Sequence, residues 1–354
     1  MRTLSVSLFA LLSMTGKGIA APTVVVDIAP VHSLVMQVMG ERGEATLLIP
    51  PTQSPHEGVL RPSQARAVSS ADMVVWVGPG LTPWLGGALD SLGSDAKIVE
   101  MLDVAGLEIL DIREAGISLP GIEHDHDDED HDDEHAHEDH DDEHAHEDHD
   151  DDHAEGEKHE DHDDGHAHED HDDHGDGHAH GHEHGNFDAH AWLDPQNAKV
   201  WVTYLAQELT EIDPEGGAVY AANAAATLAK LDMLEAEIIA ILAPVQDRPY
   251  VVLHDAYQYF ERHFGLAPPS RLSQGDAVEA GPRAVSNMRS FAAETGIQCF
   301  FSEPQFPEER VRVLISNDAQ EIHELDPHGS RHEPGPDHYA KTLRDLGAAM
   351  AACG

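Results

Sequence analysis

The sequence predicts an α/β protein of two Rossmann-like lobes joined by one long α-helix, with a cleft between the lobes. Two observations carry this. Short β-branched or aromatic runs alternate with stretches of helical period twice along the chain, and such alternation implies parallel sheets covered by helices. Between the two sets lies a single apolar stripe of about thirty residues that contains no strand signal.

The first set opens with TVVVDIA, a buried strand, followed by apolar residues at helical spacing from Val31 to Met39. ATLLIP, MVVWVG and KIVE repeat the strand signal. Ser63 to Ser70 and Pro83 to Leu92 read as the intervening helices, and FDAHAWLDP leads into another helix at Asn197 to Leu209. Asp213-Pro214-Glu215 then predicts a helix start, with Asp213 as N-cap and Pro214 in the first turn, where its missing N–H costs nothing. From there Leu228, Leu231, Leu234, Ile238, Ile241 and Leu242 form one stripe that stops before Pro244. Thirty residues at about 1.5 Å each give a rod of roughly 45 Å, enough to cross between lobes.

The second set begins with YVVLHD, a strand running into the helix AYQYFERHFG. QCFFSE and EIHELD are further strands, Pro282 to Thr295 and Glu308 to Asn317 are helices, and Pro336 to Ala352 closes the chain. The expected domains are therefore a first lobe over 21–213, a linking helix over 214–243 and a second lobe over 244–354.

The first lobe is interrupted. Between Glu123 and His184 stand 20 His, 31 Asp or Glu and one Lys, including the nonapeptide HDDEHAHED twice in succession. No core can be built from such a segment, so 123–185 is expected to be a disordered loop in its metal-free form. It carries a net −30 of the chain's −48, which leaves a mildly acidic globular remainder. Acidity argues against nucleic acid as a partner, because phosphates would be repelled. Neutral imidazole suits zinc, copper and nickel, and pairs such as His135/His137, His144/His146 and His178/His180 put two imidazoles within reach of one ion. The tract thus offers many weak sites: His124, His126, His131, His135, His137, His140, His144, His146, His149, His178, His180, His182 and His184 are the candidates. A solvated acidic spacer would not need histidine at every second or third position.

At the start, Arg2, an apolar run from Leu4 to Met14 and small residues at Ala20 and Ala21 read as a cleaved signal peptide over 1–20, too short to span a bilayer. No Cys follows to take a lipid, so a soluble periplasmic protein is expected. Cys299 and Cys353 are the only cysteines. In an oxidising compartment one disulfide is the economical reading, against two free thiols.

A tight metal site would lie outside the tract. His32 and His254 follow strand ends, His56 sits in the Pro-bracketed loop SPHEGVLRPS, and His190 lies in DAHAWLDP at a helix start. In open α/β sheets ligands bind beyond the carboxyl ends of the strands. A lone His in such a place is more often a cap or a core hydrogen-bonder than a ligand. Several together, in a chain that already carries a metal-attracting tract, shift the balance.

The segments SPHEGVLRPS, ADMVVWVGPG, DAHAWLDP, VVLHDAYQYFERHFGL, CFFSEPQF and ELDPHG, in that order from about residue 23 to the C-terminus, resemble the motifs of the periplasmic zinc-binding receptors of bacterial ABC importers, the ZnuA-like branch. The resemblance implies metal held in the cleft by His56, His190 and His254, with Asp326 or water in the fourth position. It also implies a disulfide between Cys299 and Cys353, a His-rich insertion where the tract lies, and delivery of Zn2+ to a permease of the inner membrane by a monomeric receptor that does no covalent chemistry. Three imidazoles and one oxygen agree with a tetrahedral zinc site, whereas manganese favours more carboxylates. A receptor for Mn2+ or another divalent metal, and a periplasmic zinc store or buffer acting through the tract, are the alternatives. A zinc hydrolase is the competing enzyme class, but the chain contains no HExxH and no nucleophile elbow.

Overall fold

A computed structural model describes residues 21–93, 95–113, 187–272 and 281–353. The expected signal peptide and the whole His-rich tract, with all thirteen of its candidate ligands, lie outside these residues. The described residues belong to one compact unit.

Two four-stranded sheets form the frame, and every pairing within them is parallel. The first runs β2-β1-β3-β4, from β1 Val24–Val26, β2 Ala45–Leu47, β3 Met73–Trp76 and β4 Lys97–Glu100. The second runs β6-β5-β7-β8, from β5 Tyr250–Val252, β6 Ser270–Arg271, β7 Cys299–Ser302 and β8 Glu321–Glu324. The order is the same in both. In each sheet the strand order reverses beside its first strand, and that switch point opens a crevice at the strands' carboxyl ends. The central strands are apolar on both faces, as in β1, where all three valines are fully buried.

Helices α1 Ala29–Met39, α2 Pro62–Ser69 and α3 Gly86–Leu92 connect the first sheet. Helix α4, Pro195–Ile212, is capped by Asp194, whose Oδ1 accepts the Gln196 N–H at 2.7 Å. Asp213 caps a short 3₁₀ turn at Pro214–Gly216 rather than the long helix itself. The long helix α5 begins at Gly217 and runs 26 residues to Leu242, burying Leu231, Leu234, Ile238 and Leu242 from the expected stripe. The 3₁₀ turn runs directly into it, and Asp213 also accepts from Tyr220 Oη at 2.6 Å and pairs with Arg42. The second sheet carries α6 Gln258–Phe264, α7 Pro282–Thr295, α8 Glu309–Arg312 and α9 His338–Ala352.

Helix α9 packs against α5 and α1. Ser33 on α1 fixes the contact: its Oγ donates to the Pro336 carbonyl and accepts the Tyr339 N–H at 3.0 Å. The disulfide Cys299–Cys353 ties the end of α9 to β7. Closing a loop of 54 residues stabilises by about 4 kcal/mol in the chain-entropy account.

His263 on α6 stands between two helices: Nδ1 is 2.8 Å from the cap Asp194, and Nε2 is 3.2 Å from Glu235 on α5. Burial pulls its pKa down, but the carboxylates of Asp194 and Glu235 outweigh that and hold it above the ordinary 6.5. A basic group raised on folding contributes stability below its unfolded pKa and loses it as pH rises through the folded one. The stability lost in a His263→Gln variant is therefore expected to be about 1 kcal/mol larger at pH 6 than at pH 9. Denaturant unfolding at the two pH values checks this, and equal losses at both would refute it.

Candidate metal centre

Three histidines meet at the carboxyl ends of the two sheets. His254 follows β5, the strand at the switch point of the second sheet, by two residues. His56 sits in the loop between β2 and α2. That loop is pinned by Trp84, whose Nε1 donates to the Pro55 carbonyl at 2.8 Å and whose indole fills the space where a Cβ at Gly58 would stand. His190 precedes a 3₁₀ turn at Ala191–Leu193 that feeds α4.

One ligand nitrogen from each of His56, His190 and His254 lies within 4.8 Å of the other two. The ring centroids are 5.5, 5.7 and 6.4 Å apart. His190 and His254 are buried and His56 is half-buried. Zinc–imidazole bonds of roughly 2.0–2.1 Å in a tetrahedron need nitrogens about 3.4 Å apart. Among the described residues, no other group of three His, Cys, Asp or Glu has this geometry.

Two of the rings are oriented by carboxylates. Asp188 Oδ1 is 2.7 Å from His190 Nδ1 and accepts the His190 backbone N–H at 2.9 Å. Glu303 Oε1 is 2.7 Å from His254 Nδ1. A carboxylate on Nδ1 sets the tautomer with the proton there and turns the basic Nε2 toward the ion. His190 Nε2 is buried with no hydrogen-bond partner among the described residues, as a nitrogen reserved for an electrophile would be.

The other two candidates have different surroundings. Asp326 does not join the cluster. Its Oδ1 accepts from the His328 and Gly329 N–H groups and from Gln305 Nε2, at 3.1, 3.0 and 3.0 Å. Its Oδ2 accepts from Ser330 N and Oγ at 2.5 and 2.6 Å. Five donors saturate the roughly four lone-pair sites of a carboxylate, so here Asp326 organises its own loop. His32 lies inside α1, where Nε2 meets the Ala45 carbonyl at 2.9 Å and burial lowers its pKa. It is a core histidine.

Asp188 and Glu303 were missed because carboxylates were sought as ligands and not as partners of ligands. The signals were present: Asp188 stands two residues before His190, and Glu303 directly follows β7, the neighbour of the strand that carries His254.

Residues 24–353 match the family described as "ZnuA: Zinc-uptake complex component A periplasmic". The chain is 40% identical over 335 residues to the high-affinity zinc uptake system protein ZnuA of Paracoccus denitrificans, covering 94% of this chain and 91% of the relative. To the protein of the same name from Brucella abortus it is 38% identical over 330 residues, covering 93% and 91%. Among solved structures, a crystal structure of ZnuA superposes with a TM-score of 0.66 at 20% identity, covering 94% of this chain and 99% of that one.

Proposed function

Since the chain belongs to the ZnuA family of periplasmic zinc-uptake components, we propose that it is a periplasmic solute-binding receptor that captures Zn2+ and delivers it to an ABC-type importer. Zinc is the cargo. His56, His190 and His254 hold it through one nitrogen each, and water takes the fourth position, because Asp326 is committed to its loop. Asp188 and Glu303 hold the His190 and His254 rings in the binding tautomer. The observation that carries this reading is the convergence of three imidazole nitrogens from both sheets, two of them backed by carboxylates.

Softness of the donor set favours zinc over manganese, which prefers several hard oxygens. The reading assigns no bond-making step. A hydrolase needs a general base beside the metal-bound water, and the carboxylates next to the ligands are taken up by imidazole Nδ1. The receptor works as a monomer, reaches the periplasm through cleavage of residues 1–20, and hands its ion to a permease of the inner membrane. No helix among the described residues is long and apolar enough to cross a membrane.

The His-rich tract serves as a weak, many-site collector that raises the local zinc concentration. A zinc titration of the mature protein with and without residues 123–185 tests the assignment against a store. Deletion is expected to leave one tight site and to lower the total zinc bound. Loss of all tight binding on deletion would make the protein a store and the cleft assignment wrong.

A further inference from the structure

Residues 104–113, after β4, form a strap that touches the supports of two of the proposed ligands. Glu108 exchanges hydrogen bonds with Asn197 of α4, its N–H donating to Asn197 Oδ1 and its carbonyl accepting from Asn197 Nδ2, both at 2.9 Å. Leu110 accepts the Asp188 N–H at 2.8 Å and donates its own N–H to Tyr259 Oη on α6 at 3.0 Å. Tyr259 Oη in turn donates to the Asp188 carbonyl at 2.9 Å. Asp188 is the residue whose carboxylate holds His190. The strap is thus joined to one ligand's support by two routes.

At its end the strap carries Arg113. Its Nε donates to Asp255 Oδ2 at 2.8 Å, its Nη2 pairs with Asp255 Oδ1, and its Nη1 donates to Glu261 Oε2 at 2.8 Å. Asp255 is the residue after His254, and Glu261 lies on α6, the helix that follows, so Arg113 grips the turn that carries His254 at Asp255 and the helix beyond it at Glu261. Both carboxylate side chains are only 3% exposed. Arg271 Nε approaches Asp255 at 3.4 Å, a longer contact. The fork of Arg113, not point charge alone, fixes Asp255 in one orientation.

We infer that Arg113 is a positioning residue for zinc capture: it hooks the strap onto the turn that carries His254 and so fixes His254 relative to His190. This rests on the three-histidine site proposed above. Without the guanidinium, two buried carboxylates lose their main counter-charge and separate, and the turn that bears His254 shifts with Asp255. Lysine would supply the charge without the bidentate fork.

The test uses the full mature chain and its Arg113→Lys, Arg113→Met and Arg344→Met variants. Arg344 pairs with Glu237 on α5 in an exposed contact and serves as the control. Zinc affinity is measured by chelator competition, and the visible d–d spectrum with Co2+, each with metal below one equivalent so that the tightest site is read. Arg113→Lys is expected to bind roughly tenfold more weakly with altered Co2+ bands, Arg113→Met more weakly still, and Arg344→Met like the parent. If Arg113→Met fails to fold, Arg113→Lys decides alone. Parental affinity and Co2+ spectrum in a folded Arg113→Lys variant, whatever its melting temperature, would reduce Arg113 to a structural ion pair and overturn the inference. A parent without a tight tetrahedral Co2+ site would instead overturn the histidine site, and this inference with it.

Discussion

Alanine in place of His254 is expected to lower the cleft's zinc affinity by two to three decades. Structural zinc sites with four protein ligands bind with roughly 10–16 kcal/mol. One ligand's share is about 3–4 kcal/mol, and each 1.4 kcal/mol is tenfold. Of the three proposed ligands, His254 is the one that follows a strand of the second sheet, so its loss would also remove the proposed link between an ion and that sheet. Glu303→Gln keeps the ring but weakens its orientation, and should cost roughly 10- to 100-fold. His323, on β8 and outside the cluster, supplies the control, because its replacement should leave affinity unchanged. Isothermal titration of the tract-deleted chain reads the series, with circular dichroism to establish folding. A His254→Ala variant that binds as tightly as its parent would remove the three-histidine site from consideration.

The second large effect is on stability. A ligand that binds the native state alone stabilises it by RT ln(1 + [L]/Kd), about 4 kcal/mol at a thousandfold excess over Kd. For a unit of this size, that corresponds to a rise in melting temperature of roughly 6–8 °C. The three nitrogens come from segments around residues 56, 190 and 254, so no unfolded chain presents them together. Zinc held equally well by native and unfolded chains cancels from the difference, and the shift therefore reports the cleft rather than the tract. Thermal melts of the parent and of His254→Ala, with zinc and with a chelator, check this. The parent should show the shift and the variant should lose most of it. Equal shifts in both would place the stabilising ion elsewhere.

How much of this was legible depended on how far apart in sequence the interacting groups lie. The strands VVV, MVVW, YVV and CFFS were readable because full burial on both faces of a parallel sheet demands uninterrupted apolar runs. Helix α8 was expected to reach Asn317 and stops at Arg312. Its sequence tolerates a helix, but Gln320 accepts hydrogen bonds from Ser316 N and Oγ and holds the chain in a turn leading to β8. At the start of the long helix the expected cap is present, with Asp213 accepting from Gly216 N and Pro214 in a first turn that is 3₁₀ and leads directly into α5.

The sequence by itself determined the two α/β sets, the long helix between them, and four histidines, His32, His56, His190 and His254, placed where strands and helix starts deliver side chains to a crevice. Each of these follows from short-range pattern: period, capping chemistry, or position next to a strand end. Only the tertiary structure decided which carboxylates face which imidazoles. Asp326 and Glu303 both follow strands of the second sheet closely, yet Asp326 turns into its own loop while Glu303 meets His254, 49 positions away in the chain. The strap shows the same dependence, with Arg113 finding its partners 142 and 148 residues later. A carboxylate's role is set by the donors that reach it first, and those donors are brought into range by the packing of helices and sheets, which no local window of sequence contains.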